Sequence, residues 1–128
     1  MALQDRSLFI LQVEDTSADA VLTAHALKNG RVPCSIHVVP DGKQALAFLT
    51  HGEGFEQAPR PDLVLLDLSL PGLNGHEVLK FIKQDVGLKS IPVVVFTTLA
   101  TKESQLLAYD ERANSYVVKP LDLASFTN

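Results

Sequence analysis

The run Leu63-Val64-Leu65-Leu66 leads directly into a carboxylate, Asp67. An uninterrupted apolar run of this length reads as a strand buried on both faces, and such strands belong to parallel sheets covered by helices. Other apolar runs end in the same way: Leu8 to Val13 in Glu14 and Asp15, Val93 to Phe96 in Thr97, and Tyr116 to Val118 in Lys119. Polar groups at the exits of parallel strands share one edge of the sheet, so this fold class alone draws these residues toward one another.

The segments between the runs carry helix signals. Thr16-Ser17-Ala18-Asp19 reads as a capped helix start, with a stop at Asn29-Gly30. Ser35 to Val39 is a second strand, and His37 interrupts its apolar run as an edge position would. Asp41-Gly42-Lys43-Gln44 opens a helix with Ala45, Leu46 and Leu49 inward, ending near His51. The stretch His51 to Pro61 is longer than the roughly 2–6 residues usual for such a connection and reads as an exposed insertion. After the loop Ser69 to Asn74 comes an amphipathic helix with Val78, Leu79 and Ile82 inside and Glu77, Lys80 and Lys83 outside. Thr101 caps a further helix with Leu106 and Leu107 buried, and Leu121 to Asn128 has room for only about two turns, at roughly 3.6 residues each.

Strands alternating with helices imply right-handed βαβ units and an α/β fold, with a parallel five-stranded sheet and helices on both faces. The most apolar strands, the first, third and fourth, belong in the centre, which gives the doubly wound order 2-1-3-4-5. In that order a crevice opens between strands one and three, and Glu14, Asp15 and Asp67 fall together there.

The 128 residues fit one domain, 1–128, with no output domain after it. A hydrophobic content of 46% and a charged content of 20% exclude a disordered or collagen-like chain. The net charge of −4 comes without any Lys/Arg cluster, which argues against nucleic-acid or anionic-membrane binding. No run approaches the roughly 20 apolar residues that span a bilayer, and the cytoplasm is the expected compartment. Cys34 is the only cysteine, expected to be buried and inert, so no disulfide or cysteine metal site forms. His25, His37, His51 and His76 lack ligand spacing and read as surface or packing residues.

Three carboxylates brought together repel one another unless a cation joins them. Oxygen ligands with no His or Cys favour a hard cation, and two or three carboxylates with room for water suit Mg²⁺ completed by a phosphate. Lys119 adds a mobile positive charge and Thr97 a hydroxyl donor, so the groups surround a phosphoryl group on Asp67.

Glu14-Asp15, Asp67, Thr97, Tyr116 and Lys119-Pro120, in this order on these strand ends, resemble the receiver domain of response regulators over nearly the whole chain. The resemblance implies a flavodoxin-like (βα)5 fold, from which the short final helix departs, since a receiver normally closes with a helix of several turns. It makes Asp67 the phospho-acceptor, with Glu14, Asp15, Asp67 and the backbone carbonyl of Ser69 holding Mg²⁺, for which Mn²⁺ can substitute. Lys119 and Thr97 then bind phosphate oxygens, and Tyr116 turns inward as Thr97 shifts toward the phosphate. No organic cofactor is implied. The insert before the third strand, the segment Leu65 to Gly72 and the segment Ile91 to Thr98 further resemble receivers paired with phytochrome-type histidine kinases, cyanobacterial and bacterial.

The function implied is that of a single-domain response regulator in a two-component phosphorelay. It accepts phosphate from a sensor histidine kinase and signals by protein contact through the face made by the helix after Thr101, the strand 116–118 and the final segment. It assists its own phosphorylation and dephosphorylation, and turns over no metabolite. Two alternatives stand beside it: an aspartyl-phosphate phosphatase of the haloacid-dehalogenase type, which expects an acid where Ser69 stands, and an unphosphorylated pseudo-receiver that only binds. Leu99 cannot orient water, which implies a long-lived phospho-aspartate. Leu121, Leu123 and Phe126 leave apolar surface, so either a second protomer covers it as a homodimer or the chain is truncated.

Overall fold

The computed structural model describes residues 8–15, 34–68, 74–97, 107, 109 and 112–118, with the backbone alone at 96–97 and 115–118. Five parallel strands form one sheet: β1 (Leu8–Val13), β2 (Cys34–Val39), β3 (Leu63–Leu66), β4 (Val93–Thr97) and β5 (Ser115–Val118). Their order is β2-β1-β3-β4-β5, as the hydrophobicity of the strands predicts. Two helices have described ends, α1 (Gly42–Thr50) and α2 (Gly75–Gln84). Among the described residues no helix is long and apolar enough to cross a membrane.

Strand alternation divides the sheet's side chains. Leu11, Val13, Val39, Val64, Leu66, Val93 and Val95 share a core with Ala45, Phe48 and Leu49 of α1 and Val78, Leu79 and Ile82 of α2. Full burial of each large aliphatic side chain contributes about 1.5–3 kcal/mol. Ile10, Gln12 and Leu65 project to the opposite face and are also buried, so β1 and β3 are covered on both sides, as the continuous apolar run of β3 and the nearly continuous run of β1 require. The Gln12 side-chain carbonyl oxygen finds no hydrogen-bond partner there.

Helix α1 begins because the Asp41 carboxylate accepts from Gln44 N at 2.8 Å, satisfying one orphan amide of the first turn. Asp41→Ala is expected to lower stability by about 1 kcal/mol, read as a shift in the urea midpoint at unchanged slope. The helix ends at His51, in the left-handed region at φ 59°, with Gly52 N donating to Ala47 O at 2.7 Å. The inward set is Ala45, Phe48 and Leu49, while Leu46 sits at the rim. Spacing of three and four residues favours Phe48 over Leu46.

Five expectations need correction. The insertion after His51 is not simply exposed: Phe55 and Ala58 pack on the core, Pro61 is buried, and Arg60 donates to Gly87 O at 2.6 Å and Ser90 Oγ at 2.9 Å. An aromatic side chain with rings nearby folds back to meet them, and Phe55 lies 5.4 Å from Phe48 and 6.3 Å from His37, centroid to centroid.

Lys83 is not outside but 7% exposed, directly after the inward Ile82 and one turn beyond Leu79. Its stem runs inward and its ammonium ends among acceptors; desolvation lowers its pKa below the ordinary lysine value. Leu107 is 46% exposed rather than buried. Leu106 lies outside the described residues. Cys34 is only half-buried, since it starts the edge strand β2 and has a sheet neighbour on one side alone. Finally, the third strand, expected to run from Leu63 to Asp67, closes at Leu66, so the acceptor candidate belongs to the loop.

Candidate metal and phosphoryl site

The site is built by ladder geometry. Val13 pairs with Val39 on one side and with Leu66 on the other. The ladders run one step past the strands, with Glu14 N donating to Val39 O at 3.0 Å and Asp67 N donating to Val13 O at 3.1 Å. Glu14, Asp15 and Asp67 therefore leave the sheet at one level, where the strand order goes from β1 to β2 on one side and from β3 to β4 on the other. Such a switch point opens a crevice at the carboxyl ends of the strands.

One carboxylate oxygen from each of Glu14, Asp15 and Asp67 lies within 4.8 Å of the others. Glu14 and Asp67 are buried, at 3% and 6% exposure, and Asp15 is exposed. Each like-charged pair at such a distance costs about 1 kcal/mol where water screens it and about 4 kcal/mol at an effective dielectric near 20. Two buried carboxylates beside a third, with no His or Cys, make a donor set that fits a hard divalent cation and leaves room for water or phosphate oxygens.

The backbone of Asp67 is held from a second direction by α2. Asn74 caps this helix, accepting from Glu77 N at 3.1 Å, and Gly75 N donates to Leu68 O at 3.3 Å. A Cβ on Gly75 would lie 2.5 Å from Leu68 Cα and against the carbonyl oxygen of Asp67. Only the absence of a side chain lets the first turn of α2 rest on the acceptor's own peptide. The sequence signal for Gly75 is slight, a glycine in the first turn of a helix whose cap, Asn74, needs no help from it.

Of the other predicted residues, Thr97 is the last residue of β4 and Tyr116 lies in β5, paired with Val95. Thr97 pairs with Val118, the residue before Lys119. The side chains of Thr97 and Tyr116, and all of Ser69, Leu99 and Lys119, lie outside the described residues, as do Thr16, Thr101 and the segment 119–128. His37 and His51 act in packing, His37 against Phe48 at 4.9 Å and His51 through Nε2 to Ala58 O at 2.9 Å.

A family model described as the response regulator receiver domain matches residues 10–128. The response regulator Rcp1 of Synechocystis is 42% identical over 114 residues, covering 89% of this chain and 78% of that protein. A probable methanogenesis regulatory protein, FilR2 of Methanothrix harundinacea, is 44% identical over 112 residues, 88% of this chain and 72% of that protein. Among solved structures, the phosphorylated cyanobacterial phytochrome response regulator RcpA superposes with a TM-score of 0.90 at 41% identity, over 95% of this chain and 87% of that one. The Mn²⁺-bound form of Rcp1 superposes at 0.88 and 40% identity, over 94% and 86%. These likenesses displace the haloacid-dehalogenase alternative. With its sheet order, its three gathered carboxylates and a match over nearly its whole length, the chain belongs to the response regulator receiver family and is related to the phytochrome response regulators.

Proposed function

We propose that this receiver accepts a phosphoryl group from a histidine kinase onto Asp67, with Mg²⁺ or Mn²⁺ held by Glu14, Asp15, Asp67 and the Ser69 carbonyl. The observation that carries the reading is the meeting of the three carboxylates at the switch point of the sheet. A bound cation supplies charge neutralisation at the transferred phosphoryl oxygens. The remaining work is positioning, which suffices because phosphoryl transfer asks for little covalent chemistry from the protein. An Asp67 oxygen forms a bond to phosphorus as the P–N bond of the kinase's phosphohistidine breaks, and the leaving imidazole nitrogen keeps the electron pair and takes a proton from solvent. Lys119 and Thr97 bind equatorial oxygens, and Thr97 with Tyr116 passes the change to the face that contacts the output partner.

Likeness to RcpA, a cyanobacterial phytochrome response regulator, supports a phytochrome-type kinase as the donor. The same site, run with water in place of the next acceptor, returns Asp67 to its free form, slowly because Leu99 offers water no hydrogen bond.

Incubation with Mg²⁺ and acetyl phosphate is expected to add one phosphate to the intact protein by mass spectrometry, and EDTA to suppress it. Failure of both phosphate and beryllofluoride to bind in Mg²⁺ would establish the pseudo-receiver instead.

A further inference from the structure

Lys83 is the one buried cation among the described residues that the phosphoryl site does not use. Its ammonium donates to Ile91 O at 2.8 Å, to Asn114 Oδ1 at 2.9 Å and to Lys89 O at 3.2 Å, so all three of its protons are committed. Asn114 in turn clasps β4. Its Oδ1 also accepts from Val93 N at 2.9 Å, and its backbone N donates to Val93 O at 2.9 Å. Both partners of Oδ1 are donors, which settles the orientation of the amide. The clasp sits at the entry ends of β4 and β5, the opposite end of the sheet from Asp67.

Its place matters because, among the described residues, little else sets the register of these two strands. They are parallel, so no tight turn fixes their alignment. They are five and four residues long, and Val93-Val94-Val95-Phe96 and Tyr116-Val117-Val118 are apolar at successive positions. A one-residue slip therefore meets weak opposition from the hydrophobic pattern, although it turns every side chain to the other face. From the clasp the ladder runs Val94 to Ser115, Val95 to Tyr116, Phe96 to Val117 and Thr97 to Val118. Whatever holds Val93 against Asn114 thus decides which residue of β5 stands beside Thr97, and so where Lys119 emerges.

We infer that Asn114 and Lys83 are positioning residues for phosphoryl transfer, acting as a register lock that sets Thr97 and Lys119 at their working separation from the far end of the sheet. The inference rests on the phosphoryl-acceptor reading of the site and adds to it a residue pair that touches neither metal nor phosphate. The lock uses Asn because one amide oxygen takes two donors at once. Aspartate keeps that oxygen, and alanine removes it.

The test compares the intact protein with Asn114→Ala, Asn114→Asp and Lys83→Met. Three quantities are read on each: the initial rate of phosphate uptake from acetyl phosphate in Mg²⁺, Mn²⁺ affinity by electron paramagnetic resonance, and amide exchange along residues 93–97 and 115–118. Asn114→Ala is expected to slow uptake by about 10–100-fold, the scale of an ångström-sized misplacement of catalytic groups. Mn²⁺ affinity should stay unchanged, because the three carboxylates directly follow β1 and β3, and exchange should quicken at the 93–97 and 115–118 amides. Asn114→Asp should restore both uptake and protection, which a role in bulk stability alone would not produce in this pattern.

Lys83→Met keeps the inference falsifiable if Asn114→Ala fails to fold, since replacing a buried ion by an apolar side chain of similar length often leaves a fold intact. It should slow uptake in the same direction. Wild-type uptake in folded Asn114→Ala or Lys83→Met would overturn the inference, as would a failure of Asn114→Asp to restore. If the unaltered protein takes up no phosphate, the acceptor reading itself fails and the positioning role falls with it. Normal uptake by the unaltered protein and by both disruptive variants would leave the acceptor reading standing and remove this inference alone.

Discussion

Asp67→Asn is expected to take up no phosphate from acetyl phosphate while the unaltered protein gains one, a loss without a residual rate. The amide oxygen is a poor nucleophile, and the substitution also removes one of the charges that would hold the cation. The same change should make the metal-free protein more stable. Asp67 is 6% exposed and its carboxylate lies within 4.8 Å of those of Glu14 and Asp15. Removing one like charge from such a group relieves on the order of 1 kcal/mol of repulsion. Added Mg²⁺ should reverse the order, because a ligand that binds only the folded state stabilises the protein that binds it better. Intact mass and thermal melting in EDTA and in Mg²⁺ read both effects. A phosphate adduct persisting in Asp67→Asn would move the acceptor to another residue.

Gly75→Ala should be the most damaging single-methyl change near the site. Alanine is ordinarily the better helix former by about 1 kcal/mol, so an exposed helix position would gain from it. Here the new Cβ would lie 2.5 Å from Leu68 Cα and against the Asp67 carbonyl oxygen, both backbone atoms that cannot rotate away. The first turn of α2 must lift off the Asp67–Leu68 peptide, straining a helix anchored by the buried Val78, Leu79 and Ile82. Overpacking of this kind costs about 1–3 kcal/mol. The displaced acceptor should also take up phosphate more slowly by up to about 100-fold. Urea denaturation and the rate of adduct formation are the measurements, and a gain in stability at an unchanged rate would contradict the account.

How the site and its surroundings divide between legible and hidden follows from period and distance. Leu8 to Val13 and Leu63 to Leu66 were legible as central strands because burial on both faces leaves no room for a polar alternation, and their order in the sheet followed from which strands were most apolar. The acid cluster was legible for the same reason, since a strand that ends at the edge of the core delivers its next residue to the crevice.

The sequence places Lys83 in solvent because a lysine ordinarily stays there, while Lys89 O and Ile91 O in the segment after α2 and Asn114 Oδ1 ahead of β5 are brought around its ammonium by the fold. The sequence places Phe55 in an exposed insertion because the rings of Phe48 and His37 that receive it lie on other elements. Gly75 looked like an ordinary helix residue until the Asp67–Leu68 peptide was seen beneath it.

The sequence by itself thus determined the strands, their order and the edge at which Glu14, Asp15 and Asp67 meet, because those follow from how apolar each stretch is along the chain. Only the tertiary structure decided which side chains are clasped, covered or forbidden a methyl group, because each of those depends on an atom outside the residue's own element that the fold brings close, and periodicity carries no record of it.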